Sequence, residues 1–240
     1  MRQNGPVAEH CFSVTLRRGG AVATAIDVPA RFEAHRTPVV VLAHGAGADM
    51  RHAFLEFFAA ALAERGLAVV RFQFPYMERA AGGTRPPDPQ DVLLDTYQEV
   101  LLASSQRTGS PPGPLFIGGK SLGGRMATIL AAEGRVRPSG LVLLGYPLHP
   151  AGKPSAERAA HLPRCRAPLL FVQGDRDPLC DLALLRESRR ALRIAGSLHV
   201  VPGGDHSFAL PARDRARQSQ EMTRAADVIV TFVRKVLARR

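Results

Sequence analysis

The chain has 240 residues, of which 45% are apolar and 22% charged, the balance of a globular protein folding as a single domain over residues 1–240. Three widely spaced cysteines, Cys11, Cys165 and Cys180, include no Cys-x-x-Cys pair, which argues against a disulfide framework or a zinc site. No apolar run reaches the roughly 18 to 20 residues of a membrane span, and Met1 to Pro6 lack the apolar stretch of a secretory leader, so the expectation is a cytoplasmic protein with no membrane association.

The formal net charge of +11 raises the question of nucleic-acid binding. The arginines are spread along candidate amphipathic helices, as at Arg186, Arg189, Arg190 and Arg193, then Arg213, Arg215 and Arg217. Tryptophan is absent and no aromatic residues interleave with the basic ones to stack on bases. Solvated helix faces account for the charge, and no nucleic-acid partner is expected.

Short runs rich in Val, Leu and Phe alternate with longer stretches of helical period, the pattern of a mostly parallel sheet with helices on both faces. Residues 11–16 and 21–28 read as an opening hairpin turning at Gly19-Gly20. The first buried strand is 39–43, followed by a helix over 52–65 that Gly66 ends. Residues 68–73 form the next strand, 75–89 a long Pro- and Gly-bearing surface loop, and 90–107 a helix. Strand 115–118, helix 122–132, strand 140–144 and an irregular stretch, 145–167, follow. Strand 169–173, helix 182–194, strand 198–201 and helix 218–236 close the chain. About 24 residues separate the strands ending at Leu144 and starting at Leu169, too few for a helical lid domain, so the site should be open and roofed only by loops.

Gly119-Lys120-Ser121-Leu122-Gly123 matches G-x-S-x-G and lies between a predicted strand and a predicted helix. A strand turning sharply into a helix strains its middle residue, and glycines two positions either side remove the collisions that side chains would cause. The Ser121 hydroxyl then sits at a helix N-terminus, where free N–H groups favour a developing anion and Leu122 supplies one donor. The embedded Gly-Lys-Ser is not a phosphate-binding loop, because the required glycine five positions earlier is Pro114 and an apolar strand fills the interval.

Serine needs a base to activate it and a third group to orient that base. Gly174-Asp175-Arg176-Asp177-Pro178 follows one predicted strand, and Gly203-Gly204-Asp205-His206-Ser207-Phe208 follows the last. Both loops leave the carboxyl edge of the sheet, where open α/β sheets place ligands. Asp177 is the candidate acid and His206 the candidate base. Asp175 reads as a brace for its turn, and Asp205 adjoins the histidine and points elsewhere. His44-Gly45-Ala46-Gly47 follows the first central strand, and Ala46, with Gly45 as alternative, is the candidate second oxyanion donor. His44 reads as a structural tie for that loop.

These loops resemble the α/β-hydrolases, and within them the dienelactone-hydrolase-like branch, closest to the KANL/Tex-type group of predicted hydrolases. The carrying segments are residues 44–47, 71–78, 118–125, 144–150, 173–178 and 204–208, which span nearly the whole chain in register. The resemblance implies the α/β-hydrolase fold, the Ser121, Asp177 and His206 triad, and no cofactor. It names no substrate, and some relatives are subunits of complexes. Tyr76, Tyr146 and His44, on loops at the same sheet edge, are expected to line a substrate pocket, with loop packing as the equal alternative. His149 is assigned loop packing.

The expected chemistry is acyl transfer to water on a small ester, lactone or thioester. Lys120, Arg125 and Arg71 would favour a carboxylate-bearing substrate, although solvation or structural pairing accounts for each. The rivals are a non-catalytic scaffold, a nucleic-acid binder, and a peptidase or lyase using the same three side chains. Oligomeric state is not readable from the sequence.

Overall fold

The computed structural model describes residues 8–80, 82–108 and 114–239. The N-terminal stretch read for a leader and Ala81 of the predicted surface loop lie outside them. An antiparallel pair, β1 (Ala8–Thr15) and β2 (Ala21–Val28), begins an eight-stranded sheet. It continues through β3 (Val39–Ala43), β4 (Ala68–Phe72), β5 (Leu115–Lys120), β6 (Gly140–Leu144), β7 (Leu169–Gly174) and β8 (Gly196–Val201). Their spatial order is β1-β2-β4-β3-β5-β6-β7-β8. β2 meets β4 antiparallel, and every pairing from β4 onward is parallel.

The two-residue period of the strands divides the core into two layers. Val39, Val41, Leu141, Leu143, Leu169 and Phe171 face one side, where they pack against α3 (Gln90–Thr108), α4 (Leu122–Ala132) and α5 (Leu182–Ala191). Val40, Leu42, Val142, Leu144, Leu170 and Val172 face the other, against α1 (Ala53–Glu64) and α6 (Gln218–Leu237). Both faces of β3, β5, β6 and β7 are buried, which is why these strands read as unbroken apolar runs rather than as alternation.

Two stretches differ from the sequence reading. The predicted loop over 75–89 opens as the helical turn α2 (Pro75–Glu78), with Pro75, Tyr76 and Met77 buried. Proline at the first helical position has a preset φ and no N–H to leave unpaired, and the aromatic run that follows is drawn into the core. A 3-10 segment, Ala212–Arg217, precedes α6. The β6–β7 connection carries only single 3-10 turns at Glu157–Ala159 and Leu162–Arg164, and no lid domain rises from it. It lies down on α4 instead: His161 Nε2 pairs with Thr128 Oγ1 at 2.8 Å, and the Cys165 thiol donates to the Thr128 carbonyl at 3.3 Å.

Candidate active site

β5 runs into α4 through Ser121, whose φ of 50° and ψ of −111° form a conformation that L-residues rarely hold. The turn persists because backbone closes round it: Ser121 N–H donates to the Leu144 carbonyl, and its own carbonyl accepts from Arg125 N–H, both at 3.0 Å. A Cβ at Gly119 or at Gly123 would stand 2.3 Å from the Ala43 carbonyl oxygen, so only glycine lets the elbow approach the end of β3. Below it, Tyr97 of α3 accepts from Gly118 N–H at 2.9 Å and its hydroxyl lies 2.9 Å from the Val41 carbonyl. Tyr97 is wholly buried, so this anchor satisfies backbone groups that water cannot reach.

The loops after β7 and β8 bring Asp177 and His206 together, with His206 Nδ1 2.7 Å from Asp177 Oδ2. The Asp177 side chain is fully buried, and its other contacts hold it still: Oδ1 accepts from Leu179 N–H at 2.8 Å, and Oδ2 also accepts from the Gln173 amide. The opposite end of Gln173 accepts from Tyr146 N–H at 2.9 Å. Asp175 instead accepts from Gly203 N–H at 2.7 Å, bracing the turn after β8. Asp205 folds its own loop by accepting from the N–H groups of Ser207 and Ala209 at 2.7 and 2.9 Å.

Ser121 and His206 line one cavity of about 200 Å³, together with the 44–49 loop, His52, Phe54 and Lys120. Among the described residues no protein group hydrogen-bonds the Ser121 hydroxyl, and such contacts commonly tighten only with substrate bound. The N–H groups of Ala46 and Leu122 likewise donate to no described protein group; that of Leu122 is one of the orphan donors of a helix start. Ala46 is exposed and lines the cavity.

His44, wholly buried, accepts from Phe74 N–H through Nε2 at 3.0 Å, so Nδ1 carries the proton and donates to the Gly45 carbonyl at 2.9 Å. Burial pushes its pKa down to about 4, which keeps the ring neutral. It borders the cavity, but both ring nitrogens are spent on the backbone. His149 is spent similarly, between the Pro150 carbonyl and Asp181 N–H, each at 2.9 Å.

The expectation that Tyr76 and Tyr146 line the substrate pocket is corrected: both rings are buried and neither borders the cavity. Tyr76 is carried inward by α2 to stack near Phe74, and the Tyr146 hydroxyl donates to the Arg158 carbonyl at 2.7 Å. Arg71 does not border the cavity either, and its buried guanidinium meets Asp27 at 3.0 Å, Glu9 at 2.5 Å and the Met50 carbonyl at 2.9 Å.

The sequence model of the family described as "Alpha/beta hydrolase domain" matches residues 36–234. The chain belongs to the α/β-hydrolases. Solved structures of similar fold include an alpha-beta serine hydrolase homologue from Coxiella burnetii, with 18% identity, TM-score 0.71, and 92% of this chain and 97% of that one covered. A dienelactone hydrolase from Anabaena variabilis gives 20% identity and TM-score 0.72 over 94% and 96% of the two chains. A serine hydrolase without lid from Xanthomonas campestris gives 20% and 0.62 over 93% and 97%.

Within this α/β-hydrolase, sequence reasoning assigned no role to Gln173, Tyr97, His52 or Phe54. Tyr97 falls on the apolar stripe of α3 and so reads only as core, while Gln173 is a polar residue closing an apolar strand, a signal that went unused. Among the described residues no cluster of His, Cys, Asp and Glu could hold a metal ion, and no helix is long and apolar enough to cross a membrane.

Proposed function

We propose that this α/β-hydrolase is a serine hydrolase that cleaves a small ester, lactone or thioester through an acyl-enzyme. The observation that carries the reading is the 2.7 Å contact between His206 and the buried Asp177, on a loop that shares one cavity with the strained Ser121. The serine-hydrolase and esterase names of its structural neighbours favour the same chemistry.

In this reaction the Ser121 oxygen attacks the substrate carbonyl while His206 Nε2 takes the hydroxyl proton. Asp177 holds His206 in the tautomer with Nδ1 protonated and stabilises the imidazolium that forms. The N–H groups of Ala46 and Leu122 hold the oxyanion. Collapse of the tetrahedral intermediate breaks the bond to the alcohol or thiol, which leaves with the proton from His206. Water then repeats the sequence on the acyl-enzyme, and the free acid and Ser121 hydroxyl are regenerated. The substrate is a small molecule met in the cytoplasm, with no nucleic acid involved.

Labelling by a fluorophosphonate probe tests the proposal. Wild type should label and Ser121→Ala should not, with turnover found among short nitrophenyl esters, lactones and acyl thioesters. Folded protein that neither labels nor turns over any of them would leave the scaffold reading in its place.

A further inference from the structure

Among the described residues, one side chain alone bonds the main chain of His206. The N–H of His206 meets no protein group, and its carbonyl accepts from Lys120 Nζ and from nothing else. Lys120 directly precedes Ser121, so a single side chain runs from the backbone beside the candidate nucleophile to the backbone of the candidate base. The His206 ring is held at Nδ1 by Asp177. A ring held at one nitrogen, on a loop that passes through Gly203 and Gly204, can still pivot. The carbonyl is the second point that locates it.

Two neighbours build the passage this lysine uses. Gly145, just after β6, has a φ of 62°, and a Cβ there would stand 2.7 Å from the His206 carbonyl oxygen and 3.1 Å from Lys120 Nζ. A larger residue would push one of the two aside. Phe54 of α1 lies beside the lysine, with Nζ 5.5 Å from the ring centre, and the same ring packs at 5.2 Å against Phe208, two residues after His206. The lysine is buried, and no described carboxylate forms an ion pair with it. Burying an ammonium costs free energy that a methionine of similar length would not. Its hydrogen bond to the protein goes to the base loop.

We infer that Lys120 is a positioning residue for His206: by holding that residue's carbonyl it sets the imidazole at the height over Ser121 from which Nε2 meets the hydroxyl when substrate arrives. The inference rests on the hydrolase reading of the same site and adds a fourth side chain to it. Positioning and substrate contact leave different kinetic traces. A misplacement of the reacting groups on the order of 1 Å can cost about 10²-fold in rate, and that loss enters kcat, whereas lost substrate binding enters KM.

Lys120→Met keeps the length of the side chain and removes its donors. On the best of the nitrophenyl esters at pH 7, it should lower kcat roughly tenfold to hundredfold with KM changed little, and should slow fluorophosphonate labelling by a similar factor. Its circular dichroism should match wild type. Lys120→Arg, which still offers N–H groups to the carbonyl, should recover most of the loss. Gly145→Ala, which keeps the ammonium and crowds the carbonyl it holds, should lower kcat in the same way. An unchanged kcat in folded Lys120→Met protein, or a rise in KM alone, overturns the positioning role while leaving the hydrolase reading intact. Wild type that neither labels nor turns over any ester overturns the hydrolase reading instead, and proton NMR then decides the tether. The downfield resonance of the His206 Nδ1 proton, assigned by its absence from His206→Gln, should broaden in Lys120→Met and persist in Lys120→Arg. An equally sharp resonance in Lys120→Met overturns the tether.

Discussion

The ammonium group of Lys120 donates to the main-chain carbonyl of His206, tying the residue before the elbow serine to the loop that carries the imidazole. The side chain is buried beside the Phe54 ring, and burial depresses its pKa from 10.5 to about 8. In the unfolded chain Lys120 therefore holds its proton between pH 8 and 10.5 while the folded one has released it, so this group adds stability as pH rises through that window. Lys120→Met removes this contribution. The stability of wild type relative to the variant, measured by urea unfolding, should be flat below pH 8 and should climb by a few kcal/mol towards pH 10.5. A difference that stays level to pH 10.5 contradicts the buried setting of this ammonium.

Asp177 contacts His206 Nδ1 at 2.7 Å, and an amide there would no longer favour the Nδ1-protonated ring. If the protein turns over an ester as proposed, Asp177→Asn should lower its kcat by about 10³ to 10⁴-fold, with KM changed little. Its circular dichroism should match wild type. A loss under tenfold would assign orientation of the ring to another group.

A Cβ on Gly123 would lie 2.3 Å from the Ala43 carbonyl oxygen and 2.8 Å from the Ala43 Cβ, so α4 would have to leave the sheet. Gly123→Ala should cost several kcal/mol or prevent folding, as overpacking against backbone does. Gly134 has a φ of 71° with open space around it, so Gly134→Ala should cost only about 1 kcal/mol of backbone strain. Equilibrium denaturation of the two variants should rank them in that order.

His44 is neutral in the folded protein, with a pKa of about 4 against 6.5 when unfolded. The unfolded chain binds the extra proton first, so stability present above pH 6.5 is lost as pH falls towards 4. His161 shares this window for the same reason, since burial also takes it to about 4. Between pH 6.5 and 4, His44→Gln should show a shallower fall in urea midpoint than wild type, by about one proton of uptake. At pH 7 it should be less stable, because the tie between the Gly45 carbonyl and Phe74 N–H is impaired. Identical pH slopes in the two proteins would mean that His44 titrates normally.

The side chains of the proposed triad were legible because each sits where local backbone chemistry leaves a mark. Glycines flank Ser121, Asp177 is followed by proline, and His206 lies two residues after a glycine pair. Strand runs such as Val39–Ala43 and Gly140–Leu144 were legible too, since burial on both faces demands continuous apolar side chains. Tyr76 and Tyr146 stand on loops at the sheet edge, where lining a pocket and packing the loop are equal expectations, and packing decides between them: one is drawn inward by a proline-started helical turn, the other is anchored to the Arg158 carbonyl.

The sequence by itself determined the order of elements, the strained turn at Ser121 and the loops on which Asp177 and His206 stand, because these follow from periodicity and turn chemistry within a few residues. Only the tertiary structure decided that Lys120 holds the His206 loop, that Gln173 supports Asp177 from within its strand, and that His161 and Cys165 of the β6–β7 connection bond to Thr128 of α4. Most of these partners lie tens of residues apart. Their meeting depends on how the sheet orders its strands and how the β6–β7 connection lies on α4, and no local propensity encodes that.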